Sequence, residues 1–191
     1  MTLVAGGDEQ GFKPLYNGKD LTGWKLRRPE AHCTWTVEAD GVLKNTVEKG
    51  QHGVDLVTEK KYRNFVVRYE YMTPDNSNSG FYLRGRQEIQ ILGDHATGQA
   101  TKTGNGAIYN FKAPDQFVTK PGGEWQTAEA TIIGDRITVT LNGVKIHDNV
   151  QCDKATGGEL DSNMDQPGPI LLQGDHGTVS FRNIRLKELP E

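Results

Sequence analysis

The sequence predicts an all-β protein, a two-sheet antiparallel β-sandwich of the jelly-roll kind, on three observations. Short segments with a period of two recur along the chain, the signature of strands buried on one face. Twenty-three glycines punctuate them, which suits tight turns better than helices. No window shows convincing helical periodicity, and about a dozen short strands are most simply housed in two packed sheets. With 191 residues the chain is long enough for one substantial core. Residues 1–11 read as a flexible N-terminal segment and residues 12–191 as a single domain.

The elements follow in order. FKPLYNGKDLTGW, Phe12 to Trp24, reads as a short strand, a turn at Asn17-Gly18 and a buried Trp anchor. Trp35 to Val37 and Val42 to Lys44 flank Ala39-Asp40-Gly41, a hairpin in which glycine supplies the positive φ. His52 and Asp55 sit in a glycine-bounded loop before the strand Val54 to Thr58. From Asn64 to Met72, Phe65, Val67, Tyr69 and Tyr71 alternate with Val66, Arg68, Glu70 and Met72. Gly93 to Trp125 is the least regular part, and a loop-rich segment of that length is usually functional or disordered. Ile137, Val139 and Leu141 then lead into Asn142-Gly143, the strongest hairpin signal in the chain, because a type I′ turn needs positive φ at both central positions. A second polar loop, Gln151 to Pro169, precedes Ile170 to Gln173. In the last strand Val179 and Phe181 share one phase and Ile184 and Leu186 the other, which predicts a β-bulge at Arg182-Asn183.

The stretch SNSGFYLRGRQEIQIL, Ser77 to Leu92, carries the unusual chemistry. Read as strand, it puts Phe81, Leu83, Ile89 and Ile91 on a core face. Tyr82, Arg84, Arg86, Glu88 and Gln90 then share the outward face. An aromatic ring, two guanidinium groups, a carboxylate and an amide are what a protein uses to grip a polyhydroxylated ligand. The same residues also suit a solvated face of Arg–Glu ladders.

Composition excludes several classes. A net charge of -3 offers no basic stripe to displace counterions from a nucleic acid. No apolar run approaches the ~20 residues of a membrane-spanning helix. Met1 to Gln10 has no basic start or apolar stretch of signal-peptide length, which implies a cytoplasmic location for the chain as written, or a periplasmic or secreted one if an export signal has been trimmed. Cys33 and Cys152 are either one disulfide or two buried thiols, and their spacing shows no metal pattern.

The motifs FKPLYNGKDLTGW, SNSGFYLRGRQEIQIL, GAIYN, KPGGEWQ, ITVTLNGVKIHDN and GPILLQGDHGTVSFRNIRL, in this order from Phe12 to Leu189, resemble the 3-keto-disaccharide hydrolase family. The resemblance implies a concanavalin A-like jelly roll whose concave sheet binds sugar, and cleavage of glycosides already oxidised to the ketone at carbon 3. One departure stands out. The family commonly closes with LQDHG, whereas Gly174 intervenes here between Gln173 and Asp175, an insertion that would shift Asp175 and His176 by ~3.3 Å unless the turn absorbs it.

A 3-keto substrate calls for a base, a cationic group for the enolate and an acid for the leaving oxygen. Glu88, His176 and Arg84 are the expected catalytic residues, against the bland roles of a salt bridge, a turn cap and surface charge. Tyr82, Arg86, Gln90, Tyr109, Trp125 and Asp175 are expected to contact the sugar, although buried aromatics are equally common in a sandwich core. Glu88, Asp94 and His95 are the candidate ligands for a divalent metal such as Ca, Mn or Mg, although they follow no known spacing motif. The partner is a small sugar substrate, with no nucleic acid or membrane span and an oligomeric state that the sequence leaves open. The rival reading is a carbohydrate-binding module that uses the same face without a poised base; a third is an interaction domain that needs neither.

Overall fold

A computed structural model describes residues 10–190, so most of the segment expected to be flexible lies outside the described residues. The strands are β1 (Lys13–Pro14), β2 (Trp24–Leu26), β3 (Trp35–Val37), β4 (Leu43–Asn45), β5 (Leu56–Thr58), β6 (Phe65–Met72), β7 (Asn78–Leu83), β8 (Gln87–Leu92), β9 (Gln126–Ile133), β10 (Arg136–Leu141), β11 (Val144–Gln151), β12 (Leu171–Leu172) and β13 (Val179–Glu188). One 3₁₀ turn, His95–Thr97, is the only helical element among the described residues. No described helix is long and apolar enough to cross a membrane.

The strands form two antiparallel sheets, a jelly-roll sandwich. The larger runs β11-β10-β9-β6-β13-β4-β3, with β1 also on β13; the smaller runs β2-β5-β12-β7-β8. Aromatic rings pin the two sheets together. Tyr69 of β6 stacks on Phe81 of β7 with centroids 3.9 Å apart and planes 5° from parallel, and Phe181 of β13 lies within ring-contact range of both. Each such ring removes enough apolar surface from water to contribute roughly 1.5–3 kcal/mol.

Local signals held where the backbone itself demanded them. Phe65, Val67, Tyr69 and Tyr71 are buried and their alternates partly exposed. Asn142 and Gly143 have φ of 50° and 81° and join β10 to β11. The register of β13 on β6 jumps between Arg182 and Arg185, with Asn183 at φ 53°, which is the predicted bulge. Cys33 and Cys152 are free thiols.

The central stretch differs from a single outward-facing strand. It is a hairpin: Arg84 and Gly85 adopt φ of 53° and 68°, the chain reverses, and Tyr82 pairs with Glu88, Gly80 with Gln90. Directly opposed residues share a face, so Tyr82, Glu88 and Gln90 still project together. Arg84 and Arg86 belong to the turn and do not.

On β11 the imidazole of His147 is fully buried, and its Nε2–H donates to the Gly106 carbonyl at 2.8 Å. Burial pulls its pKa down from 6.5 to about 4. The folded state therefore holds the neutral ring while the unfolded chain takes up a proton first, and stability contributed by His147 is lost as pH falls from about 6.5 to about 4. The loss should reach up to about 3 kcal/mol. Urea unfolding of the wild type and His147→Gln at pH 7 and pH 4 checks this: the advantage of the wild type should shrink or reverse at pH 4, and an equal difference at both pH values would contradict it.

Candidate active site

The outer face of the smaller sheet forms a floor. Alternation sends Leu56, Phe81, Leu83, Ile89 and Leu172 into the inter-sheet core, and Val57, Tyr82 and Leu171 to the opposite side, where Leu160 packs on them. On this floor the Tyr82 hydroxyl donates to Glu88 Oε2 at 2.9 Å, and the Gln173 amide donates to the Tyr82 oxygen at 3.3 Å. The Glu88 carboxylate lies over Gly80, where any Cβ would overlap it. Glycine at position 80 thus makes the space in which the carboxylate rests.

The polar loop between β11 and β12 closes over this floor. Its Thr156 hydroxyl accepts the Glu88 backbone N–H at 2.9 Å, and the backbone at Gly158 comes so near the Tyr82 hydroxyl that a side chain there would collide with it. Arg27 ties the loop down by donating to the Gly158 and Glu159 carbonyls at 2.8 and 2.9 Å and to Asp55 at 3.2 Å. The face was expected to be open, but it points away from the core without reaching solvent freely: Tyr82, Glu88 and Gln90 are only 1%, 3% and 3% exposed.

Burial decides the electrostatics. Desolvation raises Glu88 from 4.5 to about 7, outweighing the Tyr82 hydrogen bond and the His176 charge, which lower it; Asp175 and Asp55 add to the rise. Tyr82 is pushed far above its ordinary value by burial and by the adjacent Glu88 carboxylate, and remains a hydrogen-bond donor. A carboxyl poised near neutrality is suited to proton transfer.

Beside it opens a cleft of about 430 Å³ lined by Arg27, Arg28, His52, Asp55 and Asp175. The turn after β12 shapes one wall. Gly174 donates its N–H to Asp55 at 2.9 Å, and Asn45 donates to the Gly174 and Gly177 carbonyls at 2.8 and 2.9 Å. A side chain at Gly174 would strike Val54 and the Trp35 indole, so the residue is locked into the packing. The next residues carry the rim pair, in which His176 Nδ1 lies 2.5 Å from Asp175 Oδ1 with the imidazole half exposed.

The expected site residues thus divide. Glu88, Tyr82 and Gln90 share the floor, and Asp175 and His176 lie close enough for their charges to act on Glu88. Tyr109 is near, donating its N–H to the Glu88 carbonyl at 3.0 Å, with its ring beside Gly157. The guanidinium groups go elsewhere. Arg84 is buried against the Gly134 and Met164 carbonyls, and desolvation, with Arg86 and Arg63 nearby, lowers it to about 10. Arg86 forks onto Asp161 at 2.6 and 3.3 Å and onto the Gln166 carbonyl at 2.7 Å; both arginines brace the covering loop from the turn. Trp125 lies on the opposite side of the sandwich, under Arg182 at 4.0 Å, which pairs with Glu70 of the larger sheet.

The proposed metal ligands do not converge. Asp94 accepts the Asn105 N–H and the His95 ring meets the Thr119 carbonyl at 2.7 Å, both past the end of β8 from Glu88. Among the described residues no group of three His, Cys, Asp or Glu side chains could hold a metal ion. Arg27, Arg28, His52 and Gln173 were not singled out as site residues from the sequence; the paired arginines and the glycine-bounded loop at His52 and Asp55 were the available signals.

The two antiparallel sheets form a jelly roll of the kind found in bacterial glucanases. Residues 11–187 match the 3-keto-alpha-glucoside-1,2-lyase-like domain, and the chain belongs to that family. A 3-keto-disaccharide hydrolase of Bacteroides thetaiotaomicron is 24% identical, over 95% of this chain and 80% of its own length. A candidate glycosyl hydrolase from Parabacteroides distasonis has a crystal structure with a TM-score of 0.76, 26% identity, and coverage of 94% of this chain and 84% of that one. A laminarinase from Flavobacterium sp. shares the fold, with a TM-score of 0.59 at 10% identity over 93% of this chain and 98% of its own.

The raised pKa makes Glu88 a burden on stability above neutrality. Its protonated form is the one the fold accommodates, so its stabilising contribution is full below pH 4.5 and is lost as pH rises towards 7. Glu88→Gln keeps an acceptor for Tyr82 and has no charge to bury. Its melting temperature should exceed that of the wild type at pH 8, by an amount corresponding to as much as about 3 kcal/mol, and the gap should close near pH 4. Thermal unfolding across that range checks it; a variant less stable at pH 8 would show that the carboxylate is held by favourable interactions instead.

Proposed function

We propose that the protein cleaves 3-keto-glycosides by proton abstraction next to the ketone, elimination of the aglycone and hydration. The observation that carries this reading is the Glu88 carboxyl, desolvated to a pKa of about 7 beside a cleft lined by Arg27 and Arg28. A ketone at carbon 3 acidifies the proton on carbon 2. Glu88 takes that proton, the electron pair delocalises onto the ketone oxygen as an enolate, and the bond from carbon 1 to the leaving oxygen breaks as the double bond between carbons 1 and 2 forms. His176 delivers a proton to the leaving oxygen, and water then adds across the double bond to complete a net hydrolysis. The family's description as a 1,2-lyase and the hydrolase relative support the two halves of this sequence.

The enolate needs cationic stabilisation. Arg27 and Arg28 take the part first expected of Arg84, because they line the cleft and Arg84 does not. This route does not require the pair of spaced carboxylates that ordinary glycosidases use; Glu88, hydrogen-bonded to the Tyr82 phenol, serves as the base.

Turnover of a 3-keto-glucoside tests the proposal. Glu88→Gln should lower the rate by ~10²-fold or more, the scale of a general-base contribution. In the wild type, kcat/KM should rise with pH through about 7 as Glu88 loses its proton. A folded Glu88→Gln protein that keeps most of its rate would remove Glu88 from the chemistry. Sugar binding without turnover in either protein would establish the binding-module reading.

A further inference from the structure

A groove of about 420 Å³ adjoins the cleft and shares Arg28 and His52 with it. Its lining also includes His32, Thr46, Glu48 and Gln51, all of them exposed to solvent. Cleft and groove meet at Gly53. Its N–H donates to the Asp175 carbonyl at 3.3 Å, and a side chain in its place would collide with the Gly174 carbonyl on the cleft side and with Thr34 and Val47 on the groove side. Arg28 bridges the junction by donating to the Gly53 carbonyl at 3.3 Å.

The turn that carries His176 is fastened to the same wall. Asn45 donates to the Gly174 and Gly177 carbonyls at 2.8 and 2.9 Å, and the Thr178 hydroxyl accepts the Val47 N–H at 3.1 Å. A general acid must stand within hydrogen-bond reach of the oxygen it protonates. A substrate whose reacting ring lies beside Glu88 therefore has its leaving group at the His176 turn, where the groove begins.

The lining decides what kind of leaving group fits. Arg28 and Glu48 carry opposite charges, so an anion would meet the carboxylate and a cation the guanidinium. Among the described residues lining the groove none is Phe, Tyr or Trp, on which an aryl group would stack. The amide of Gln51, the hydroxyl of Thr46 and the imidazole of His32 supply donors and acceptors side by side, which matches hydroxyl groups that do both. We propose that this groove is the subsite for the aglycone, and that it holds a neutral sugar ring. Its volume sits at the lower end of the ~300–1,000 Å³ typical of small-molecule sites, which suits a single ring. The subsite rests on the roles proposed above for Glu88 and His176.

Two substrates separate the subsite from the chemistry: methyl 3-keto-α-glucoside, whose aglycone is too small to reach into the groove, and maltose oxidised at carbon 3 of its non-reducing ring, whose aglycone is glucose. Wild-type kcat/KM should be ~10-fold or more higher for the disaccharide, the scale of one or two hydrogen bonds. His32→Ala and Gln51→Ala each remove a hydrogen-bonding group and should lower that ratio by roughly 2- to 10-fold. Thr46→Trp, which fills the groove, should abolish the preference. A loss of folding would lower both rates together and leave the ratio where it was. Equal kcat/KM for the two substrates in the wild type, or a ratio that none of the three variants moves, would overturn the proposal. Turnover of neither substrate would remove the catalytic reading instead, and an NMR titration with unoxidised maltose at fixed pH then decides the subsite. Saturable shifts of the His32 ring resonances that Thr46→Trp abolishes keep the groove as a sugar site; their absence overturns it.

Discussion

A carboxylate cannot be taken out of water without either strong hydrogen bonds or a change in its protonation, and the arrangement around Glu88 follows from that constraint. One hydrogen bond, from Tyr82 at 2.9 Å, is too little to hold its pKa at the ordinary value. The rest of the neighbourhood makes that incomplete solvation permanent. Gly80 leaves a shelf for the carboxylate, Thr156 holds the backbone of Glu88 to the covering loop, and Leu160 seals the apolar side of Tyr82. The arginines of the β7–β8 turn, which donate to the loop carbonyls of Met164 and Gln166, serve the same burial from the other end of the hairpin.

The sandwich beneath explains why this geometry is stiff. Phe81 is flanked in sequence by Gly80 and Tyr82, and its ring stacks on Tyr69 of the opposite sheet. The residue that anchors β7 into the core is thus the neighbour of the two that shape the floor. Side chains locked by packing hold a site more precisely than side chains on free loops. Arg27 then couples the floor to the cleft, because one guanidinium binds both Asp55 and the loop carbonyls.

Much of the fold was legible because its signals are local. The Asn142-Gly143 turn, the alternation of β6 and the bulge at Arg182-Asn183 each depend on backbone preferences of a few residues. The shared face of Tyr82, Glu88 and Gln90 was also legible, although for a different reason than a continuous strand: a hairpin that pairs Tyr82 with Glu88 leaves the parity of the side chains unchanged. Arg84 and Arg86 were misplaced because Gly85 was read as a strand residue, when its positive φ marks the turn. Trp125, Asp94 and His95 were drawn towards the site by residue type alone, and only long-range pairing, which no short window contains, sends them elsewhere. The same limit hid Arg27, Arg28 and Gln173, which reach the site from β2 and β12 across the sheet. Gly174 is placed by the packing of Trp35 and Val54, more than a hundred residues away in the chain.

The central claim is that burial brings Glu88 to the edge of ionisation at neutral pH, with Tyr82 as the group that restrains the shift. A ¹³C NMR titration of the Glu88 carboxyl in the wild type and in Tyr82→Phe measures this directly. The account predicts a midpoint near 7 in the wild type and a higher one in Tyr82→Phe, since the lost hydrogen bond favoured the ionised form. A wild-type midpoint near the ordinary 4.5, or one that Tyr82→Phe leaves unmoved or lowers, would contradict it.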